Sequence, residues 1–214
     1  MVLTRGVSPT FSRDPRDAIN TFIAFAIPFG SVANADQMTR GVNLHVSSIP
    51  RIGPDSVDPT VKNYHWLDLV AGLYEAYDAG AENVLLVDGD GNLAEGPGFN
   101  VFAVNDDQVT TPDRGVLEGV TRRTALELLA ELQVKAKTAP LSIAALKAAD
   151  EVFITSTAGG VMPVGRIDGV APSADAPGPL TQRLTERYWA KHTDPVWSVG
   201  VDELPTLDDW RRDD

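Results

Sequence analysis

The sequence contains no cysteine among its 214 residues. It therefore has no disulfide framework, no thiolate nucleophile and no zinc-thiolate site, and this composition suits a reducing compartment. Long apolar runs are also missing. The longest one near the start, from Phe22 to Phe29, is far shorter than the roughly 18 residues that a membrane helix needs, and it has no basic region with a cleavage site. We expect a cytoplasmic protein with no membrane partner.

Basic residues are few. Lysine and arginine together number 18 against 30 aspartates and glutamates, which gives a formal net charge of −12. Such an excess of negative charge repels the phosphate backbone of nucleic acids, so we expect no nucleic-acid partner. The hydrophobic share of 43% and the charged share of 22% are ordinary for globular proteins. Disordered, collagen-like and coiled-coil classes are therefore excluded.

The common signatures of metal and nucleotide sites are absent. The segment that begins at Asp88 starts like a calcium loop, but Leu93 and Phe99 occupy the positions that need glycine and glutamate. No GxSxG, GxxxxGK[ST] or GxGxxG motif occurs. We expect no metal site, since the histidines lack the spacing of metal ligands. These histidines are His45, His65 and His192.

Strand and helix patterns interleave along the chain without a regular βαβ alternation. Apolar runs and period-two alternation predict strands near residues 2–3, 21–30, 42–46, 84–87, 100–104, 135–137 and 151–155. Helical spacing and capping signals predict helices near residues 14–20, 64–80, 121–132, 142–149 and 177–192. A tight turn over 88–92 predicts a hairpin between two of the strands, 84–87 and 100–104. We expect a mixed α and β (α+β) layer structure and not a doubly wound parallel sheet.

A shift in composition marks the best domain boundary. The stretch GSVANADQMTRG is small and polar, between an apolar run and a strand pattern. We therefore expect a first segment of residues 1–30, a linker of residues 31–37 and a large domain of residues 38–214.

One of the five lysines occupies an unusual place. Lys62 lies in DSVDPTVKNYHW, between a proline-stiffened loop and an apolar helix, where we expect it to be held against the core and partly desolvated. Desolvation lowers the pKa of an amine and makes it a nucleophile toward carbonyls, as a Schiff-base lysine requires. Taken alone, Lys62 fits better as an ordinary lysine at a helix start. The others fit solvent-facing positions: Lys135, Lys137, Lys147 and Lys191.

A carboxylate and two glycines lie together in the fragment LAEGPGFNVF. Glu95 would emerge from a strand beside Gly96 and Gly98, and glycines permit close backbone approach of a flat ligand. Taken alone, Glu95 would be a turn residue paired with a neighbouring arginine.

Two further fragments are suited to an anion. In LEGVTRRT, Gly119, Val120 and Thr121 fall at a helix N-terminus, where free N–H groups and the positive end of the dipole favour a phosphate. A plain helix cap at Thr121 is the alternative. In ITSTAGGVMP, a strand ends with the hydroxyls of Ser156 and Thr157 before two glycines, although a strand-end turn explains this as well. Combined with Lys62 and Glu95, these fragments describe a site for pyridoxal phosphate.

The fragments DPTVKNYHWLDL, AEGPGFNVF, PDRGVLEGVTRRT and TSTAGGVMPV together resemble the class IV aminotransferases, which are fold-type IV enzymes dependent on pyridoxal 5'-phosphate. The sequences of these fragments are most similar to those of (R)-selective amine transaminases, which are related to the branched-chain and D-amino acid aminotransferases. The resemblance runs from about Val2 to about His192. Four ordered motifs over that length are far more specific than any single one.

The resemblance implies roles for particular residues. Lys62 would form the Schiff base with the cofactor, and Glu95 would face the pyridine nitrogen. The N–H groups of Val120 and Thr121 and the hydroxyl of Thr157 would bind the phosphate. The residues that would border the cofactor or substrate are Trp66, Gly159 and Gly160.

The same resemblance implies an activity and an assembly. We expect the transfer of an amino group from an amine or amino acid, by preference an (R)-configured amine or a D-amino acid, to a 2-keto acid, and we expect a homodimer. Residues 1–30 would be a remnant of the small N-terminal domain, whose last strand VLTRG resembles. The alternatives are a pyridoxal-phosphate lyase of the aminodeoxychorismate type and a catalytically impaired or non-enzymatic remnant of the large domain.

Overall fold

The computed structural model describes residues 1–106 and 108–205. Contacts divide the chain into two compact units, Met1–Gly30 and the part from Ser31 onward. Within the described ranges, no helix is both long and apolar enough to cross a bilayer, and no three acidic or histidine side chains form a metal-ligand group. The last nine residues of the predicted large domain, 206–214, lie outside the described residues.

The first unit is a two-stranded antiparallel ribbon of β1 (Val2–Val7) and β2 (Ile19–Ile23). The helix predicted over 14–20 is reduced to a single 3-10 turn, Pro15–Asp17, because Ala18 is already extended and Ile19 pairs with Val7. The strand predicted over 21–30 is shorter than expected for a similar reason. It ends at Ile23, which pairs with Val2 at the start of β1.

The second unit is a seven-stranded mixed sheet with helices. Its strands are β3 (Val42–Pro50), β4 (Asn83–Val87), β5 (Asn100–Asn105), β6 (Gln108–Thr111), β7 (Lys135–Thr138), β8 (Glu151–Ser156) and β9 (Gly160–Ile167). Its α-helices are α1 (Ala35–Arg40), α2 (Leu67–Asp78), α3 (Val120–Glu131), α4 (Ile143–Lys147) and α5 (Pro179–Ala190), and 3-10 turns cover Lys191–Thr193 and Val201–Glu203. The strand order is β4-β3-β9-β8-β5-β6-β7, with parallel and antiparallel pairs. The predicted mixed α and β architecture is confirmed.

Both faces of the sheet are buried, because alternate side chains of the central strands point to different clusters. Phe153 of β8 stacks on Phe102 of β5 with ring centroids 4.7 Å apart, in a cluster completed by residues of α3 and α5. Ile154 and Val101 point to the opposite face, into a cluster with Leu146 of α4. A third cluster packs α2 on β4. The strands β5 and β8 are therefore packed on both faces, by one cluster on each side of the sheet.

The predicted hairpin has a different second arm. The turn over 88–92 forms, but residues 93–95 pair back on β4: the N–H of Ala94 donates to Leu86 O at 2.9 Å, and the N–H of Leu86 donates to Glu95 O at 3.1 Å. The strand β5, predicted as the partner, instead lies between β8 and β6. Gly96 and Gly98 interrupt the extended backbone between the two segments, which lets β5 join the sheet elsewhere.

The segment 31–37, predicted as a linker, folds as part of the second unit. Ala33 is buried in the core cluster, and Asn34 caps α1 in a reciprocal arrangement with Gln37. The strand β9 had no sequence prediction, because its first residue, Gly160, and the preceding Gly159 are typical of a turn.

Candidate functional site

Glu95 is a buried carboxylate at the end of the short segment that pairs with β4. It is 7% exposed, and its Oε2 accepts a hydrogen bond from the N–H of Leu117 at 2.9 Å. Leu117 lies in the loop that leads into α3. This one contact joins the AEGPG fragment to the loop before α3.

A buried arginine, which the sequence did not single out, lies against Glu95. Nη2 and Nε of Arg51 are 3.3 and 3.4 Å from Oε1 of Glu95, and Nη1 is 2.6 Å from Oδ2 of Asp68. Arg51 directly follows β3, and Asp68 is in the first turn of α2. The sequence contains only a weak indication of this buried pair. A charged residue after a strand, like Arg51, and an acid in the first turn of a helix, like Asp68, are both common at protein surfaces.

The two carboxylates that contact Arg51 are in different electrostatic environments. Burial is the largest influence on Glu95 and raises its pKa, against the N–H of Leu117 and the charges of Arg51 and Lys62. For Asp68 burial also opposes ionisation, but hydrogen bonds from Ile52 N, Arg51 and Leu69 N outweigh it and lower the pKa. Glu95 is therefore the carboxylate whose charge is less fully compensated.

Lys62 is exposed, whereas the sequence predicted a partly desolvated amine. The reason is local structure: residues 51–66 contain turns but no helix or strand, and Lys62 lies within this irregular segment. Local hydrogen bonds shape this segment, including one from the Thr60 N–H to Asp58 and one from the Asn63 side chain to Val61 O. Lys62 is nevertheless within electrostatic range of Glu95, whose pKa it acts to lower. This influence is weaker than those of burial, of the Leu117 N–H and of Arg51.

Trp66 also approaches the Glu95 fragment. It is the residue before α2 and is 38% exposed. A Cβ placed on Gly98 would lie 3.6 Å from Cη2 of its ring, and Gly98 has φ +79°. The indole therefore lies over the glycine turn that follows Glu95, beside the region predicted for the site.

The N-terminus of α3 has no side-chain cap. Gly119 is the N-cap residue, and Val120 and Thr121 are the first two helical residues, so the alternative interpretation of Thr121 as a helix cap is wrong. Val120 is exposed and Thr121 is buried. The first turn of an α-helix leaves backbone N–H groups without intrahelical acceptors, so this end can bind an anion.

Asn100, at the start of β5, was not predicted and links the site's elements. Its Nδ2 donates to Leu117 O at 2.9 Å, and it pairs with Thr155 of β8 in the sheet register. Thr155 is 2% exposed, and its Oγ1 has no hydrogen-bond partner among residues 1–106 and 108–205. Asn100 and Thr155 point to the same face of the sheet as Phe102 and Phe153, which is the face that α3 covers. A buried orphan hydroxyl thus lies near the uncapped helix end.

The other predicted phosphate-binding group, the hydroxyls at the end of β8, is only partly arranged as expected. Thr157 is exposed two residues beyond Thr155. The Ser156 hydroxyl is used locally and accepts a hydrogen bond from the N–H of Ala158 at 3.2 Å.

Gly159 and Gly160 have a packing explanation. Both have positive φ, +128° and +72°. A Cβ on Gly159 would lie 2.4 Å from Sδ of Met162, and one on Gly160 would lie 2.5 Å from the ring of Tyr188 in α5. The close neighbours of the two glycines are Met162, the exposed Ser31 and residues of α5, and none of them is another predicted site residue.

Comparison with known proteins identifies the family. The family model described as Amino-transferase class IV matches residues 2–167. The chain belongs to the class IV aminotransferases. A relative from Methanocaldococcus jannaschii is 32% identical over 204 residues, which are 94% of this chain and 68% of the relative. The branched-chain-amino-acid aminotransferase of Escherichia coli (strain K12) is 31% identical over 193 residues, 88% of this chain and 60% of the relative.

The fold of this chain is similar to that of solved class IV aminotransferase structures. The branched-chain amino acid aminotransferase of Thermobaculum terrenum, solved in its PLP form, aligns with a TM-score of 0.69 and 28% identity over 72% of this chain and 52% of that one. The enzyme of E. coli aligns with a TM-score of 0.73 and 28% identity, over 80% and 56%. This chain thus spans a little more than half the length of these structures.

Proposed function

We propose that this chain is the cofactor-binding part of an aminotransferase that uses pyridoxal 5'-phosphate. The observation that carries the proposal is one connected set of groups: the buried carboxylate of Glu95 receives the N–H of Leu117, in the loop that ends at the uncapped N-terminus of α3. Lys62, a primary amine, acts electrostatically on the same carboxylate. Family membership and relatives named as branched-chain aminotransferases support this function over the lyase alternative.

The residues present fit the two ends of this cofactor. A pyridinium nitrogen needs a buried anion, which Glu95 supplies. A phosphate dianion needs several donors, and the first turn of α3 offers the N–H groups of Val120 and Thr121. The orphan hydroxyl of Thr155 is a further donor near that end, and the exposed hydroxyl of Thr157 completes the set taken from the family motif.

When bound, pyridoxal phosphate supplies a carbonyl that amines add to and a protonated ring that accepts electrons as the substrate α-proton departs. The protein's own groups do the rest. Glu95 would face the ring nitrogen and favour its protonated form. Nζ of Lys62 would hold the cofactor covalently and would also move a proton as base and acid, a role worth about 10² to 10⁴ in rate. Trp66, Gly159 and Gly160 would border the cofactor or the substrate.

The proposed substrates are an amino acid donor and a 2-keto acid acceptor. The relatives reported above are named for branched-chain amino acids, so these are the first donors to test, and (R)-configured amines and D-amino acids form the second arm. In the same proposal, residues 1–30 belong to a small N-terminal domain, residues from 31 onward form the large cofactor-binding domain, and the assembly is a cytoplasmic homodimer. The absence of cysteine supports the reducing location.

The test is covalent capture of the cofactor. Pyridoxal phosphate added to the purified chain should give the absorbance band of a Schiff base with a lysine, and borohydride should fix the cofactor on one peptide. We expect the label on Lys62 and loss of the band in Lys62→Ala. Lys135→Ala, a change at an exposed lysine of β7, is the matched control and should label normally. A label on another lysine, or no band at all, contradicts the proposal.

A further inference from the structure

Arg51 lies between two carboxylates in the interior of the second unit. Its side chain is 6% exposed, and those of Asp68 and Glu95 are 13% and 9% exposed. The contact with Asp68 is short, 2.6 Å from Nη1 to Oδ2, whereas the contacts with Glu95 are long, 3.3 and 3.4 Å. Removing one partner from such a buried set leaves an uncompensated charge. The guanidinium is thus shared unequally by the two acids.

The backbone fixes the Asp68 side of this arrangement. Oδ2 of Asp68 also accepts the N–H of Ile52 at 2.7 Å, and Oδ1 accepts the N–H of Leu69 at 2.8 Å. Asp68 is in the first turn of α2, where the positive end of the helix dipole favours a carboxylate. The backbone N–H of Arg51 donates to Val87 O at 2.7 Å, which anchors the arginine beside β4. Asp68 and Arg51 therefore form a rigid pair.

The charges of the three side chains do not cancel. Two carboxylates and one guanidinium leave one net negative charge within this set of three, while the charges of Lys62 and Arg122 also act on Glu95 from outside it. Three donors at 2.6 to 2.8 Å already satisfy Asp68. Glu95 has one short hydrogen bond, from Leu117, and the long contacts with Arg51. The carboxylate with capacity left for a cation is therefore Glu95.

We propose that Arg51 and Asp68 are positioning residues for Glu95: Arg51 keeps the buried carboxylate charged, and Asp68 holds Arg51 back so that Glu95 stays available to a second cation. The identity of that cation as the pyridinium of pyridoxal phosphate rests on the function proposed above. The arrangement of the three residues does not depend on it.

The two halves of this proposal predict opposite effects on the titration of Glu95. Arg51→Met removes a cation, so Glu95 should titrate at higher pH than in the unaltered chain. Asp68→Asn removes an anion and frees Arg51 to approach Glu95, so Glu95 should titrate at lower pH. Arg51→Lys keeps the charge without the fork geometry and should fall between the unaltered chain and Arg51→Met. A loss of packing that left the charges around Glu95 unchanged would not give shifts of opposite sign.

The measurement is carbon-13 NMR of glutamate carboxyls in the cofactor-free full chain, with Glu95→Gln to assign the signal. Arg183→Met, at an exposed arginine of α5, is the matched control and should leave the titration unchanged. Shifts in the same direction for Arg51→Met and Asp68→Asn, or no shift in either, overturn the proposal. If Arg51→Met fails to fold, Arg51→Lys and the near-isosteric Asp68→Asn still decide it by their opposite signs.

A second readout tests the identity of the cation. The chain should bind pyridoxal phosphate more tightly than 1-deazapyridoxal phosphate, which lacks the ring nitrogen, and Arg51→Met should reduce that preference by about tenfold, the lower range for one charge-assisted hydrogen bond. Equal binding of the two compounds by the unaltered chain refutes the proposed function and leaves the NMR test standing. A normal preference that Arg51→Met does not change overturns the positioning role while the proposed function stands.

Discussion

Gly119 and Asn100 are in direct contact, because a Cβ placed on Gly119 would lie only 2.6 Å from Oδ1 of Asn100. The loop that enters α3 and the first residue of β5 therefore meet without space for a side chain. Since the Asn100 amide also donates to Leu117 O, and the Leu117 N–H donates to Glu95, this contact relates the helix end to the buried carboxylate. The distance between the N-terminus of α3 and the Glu95 carboxylate therefore depends on the lack of a Cβ at Gly119.

Gly119→Ala should displace the N-terminus of α3. We expect a loss of about 1 to 3 kcal/mol in the free energy of unfolding, as for other overpacked positions, and weaker binding of pyridoxal phosphate. Denaturant unfolding and a fluorescence titration measure the two effects. Gly89→Ala is the control, because a Cβ at Gly89 meets nothing within 4 Å. Equal behaviour of the two variants would show that the contact between Gly119 and Asn100 is unimportant.

Glu95→Gln should separate cofactor binding from proton transfer. The amide keeps an oxygen for the Leu117 N–H but cannot hold a ring nitrogen protonated. We expect pyridoxal phosphate still to bind, at about tenfold lower affinity, and the rate of α-proton exchange to fall by roughly 10² or more. Exchange of the α-proton of leucine with deuterated solvent, followed by proton NMR, measures the rate. An unchanged rate in an active preparation would remove Glu95 from the mechanism.

Glu151→Gln should loosen the start of α5. The buried Glu151 carboxylate accepts the N–H groups of Leu180 and Thr181 at 2.9 and 2.8 Å and the Thr181 hydroxyl at 2.8 Å. A glutamine turns one acceptor into a donor facing these groups, which we expect to cost about 1 to 3 kcal/mol in unfolding free energy. Thermal and urea unfolding measure it. Glu186→Gln, on the exposed part of the same helix, should change stability little, and a similar loss there would contradict the capping role.

Acid should weaken the contact between α1 and the loop before β4. Hydrogen bonding to Arg40 is the largest cause that lowers the pKa of Glu82 from 4.5 to about 2, with the N–H of Asn43 adding to it. Because the folded pKa is below the unfolded one, this stabilisation is present above pH 4.5 and is lost as the pH falls toward 2. Glu82→Gln should therefore lower the melting temperature at pH 6 but hardly at pH 2.

The control for the pH series is Glu127→Gln, at an exposed glutamate of α3. Its melting temperature should follow that of the unaltered chain at every pH. If Glu82→Gln has the same effect at pH 2 as at pH 6, the ionised carboxylate is not what stabilises this contact.

The sequence by itself determined the elements with strong periodicity and the identity of the family. Helical spacing predicted α2, α3 and α5 within a few residues, because each buries one apolar face. Four short fragments were sufficient to indicate a class IV aminotransferase, since ordered motifs carry more information than composition. The same fragments indicated Lys62 and Glu95 as site residues, because their side chains are an amine and a carboxylate, which one cofactor could use together.

Only the tertiary structure decided which groups meet. Pairing of β5 with β8 sets Asn100 beside Thr155, 55 positions away in the sequence, and no local pattern reports such a contact. No local pattern singled out Arg51 or Asp68 for the same reason, since their importance comes from the buried contacts that join Asp68 to Arg51 and Arg51 to Glu95. Gly160 reads as a flexible turn but starts β9 against Tyr188, because packing, and not periodicity, fixes its conformation.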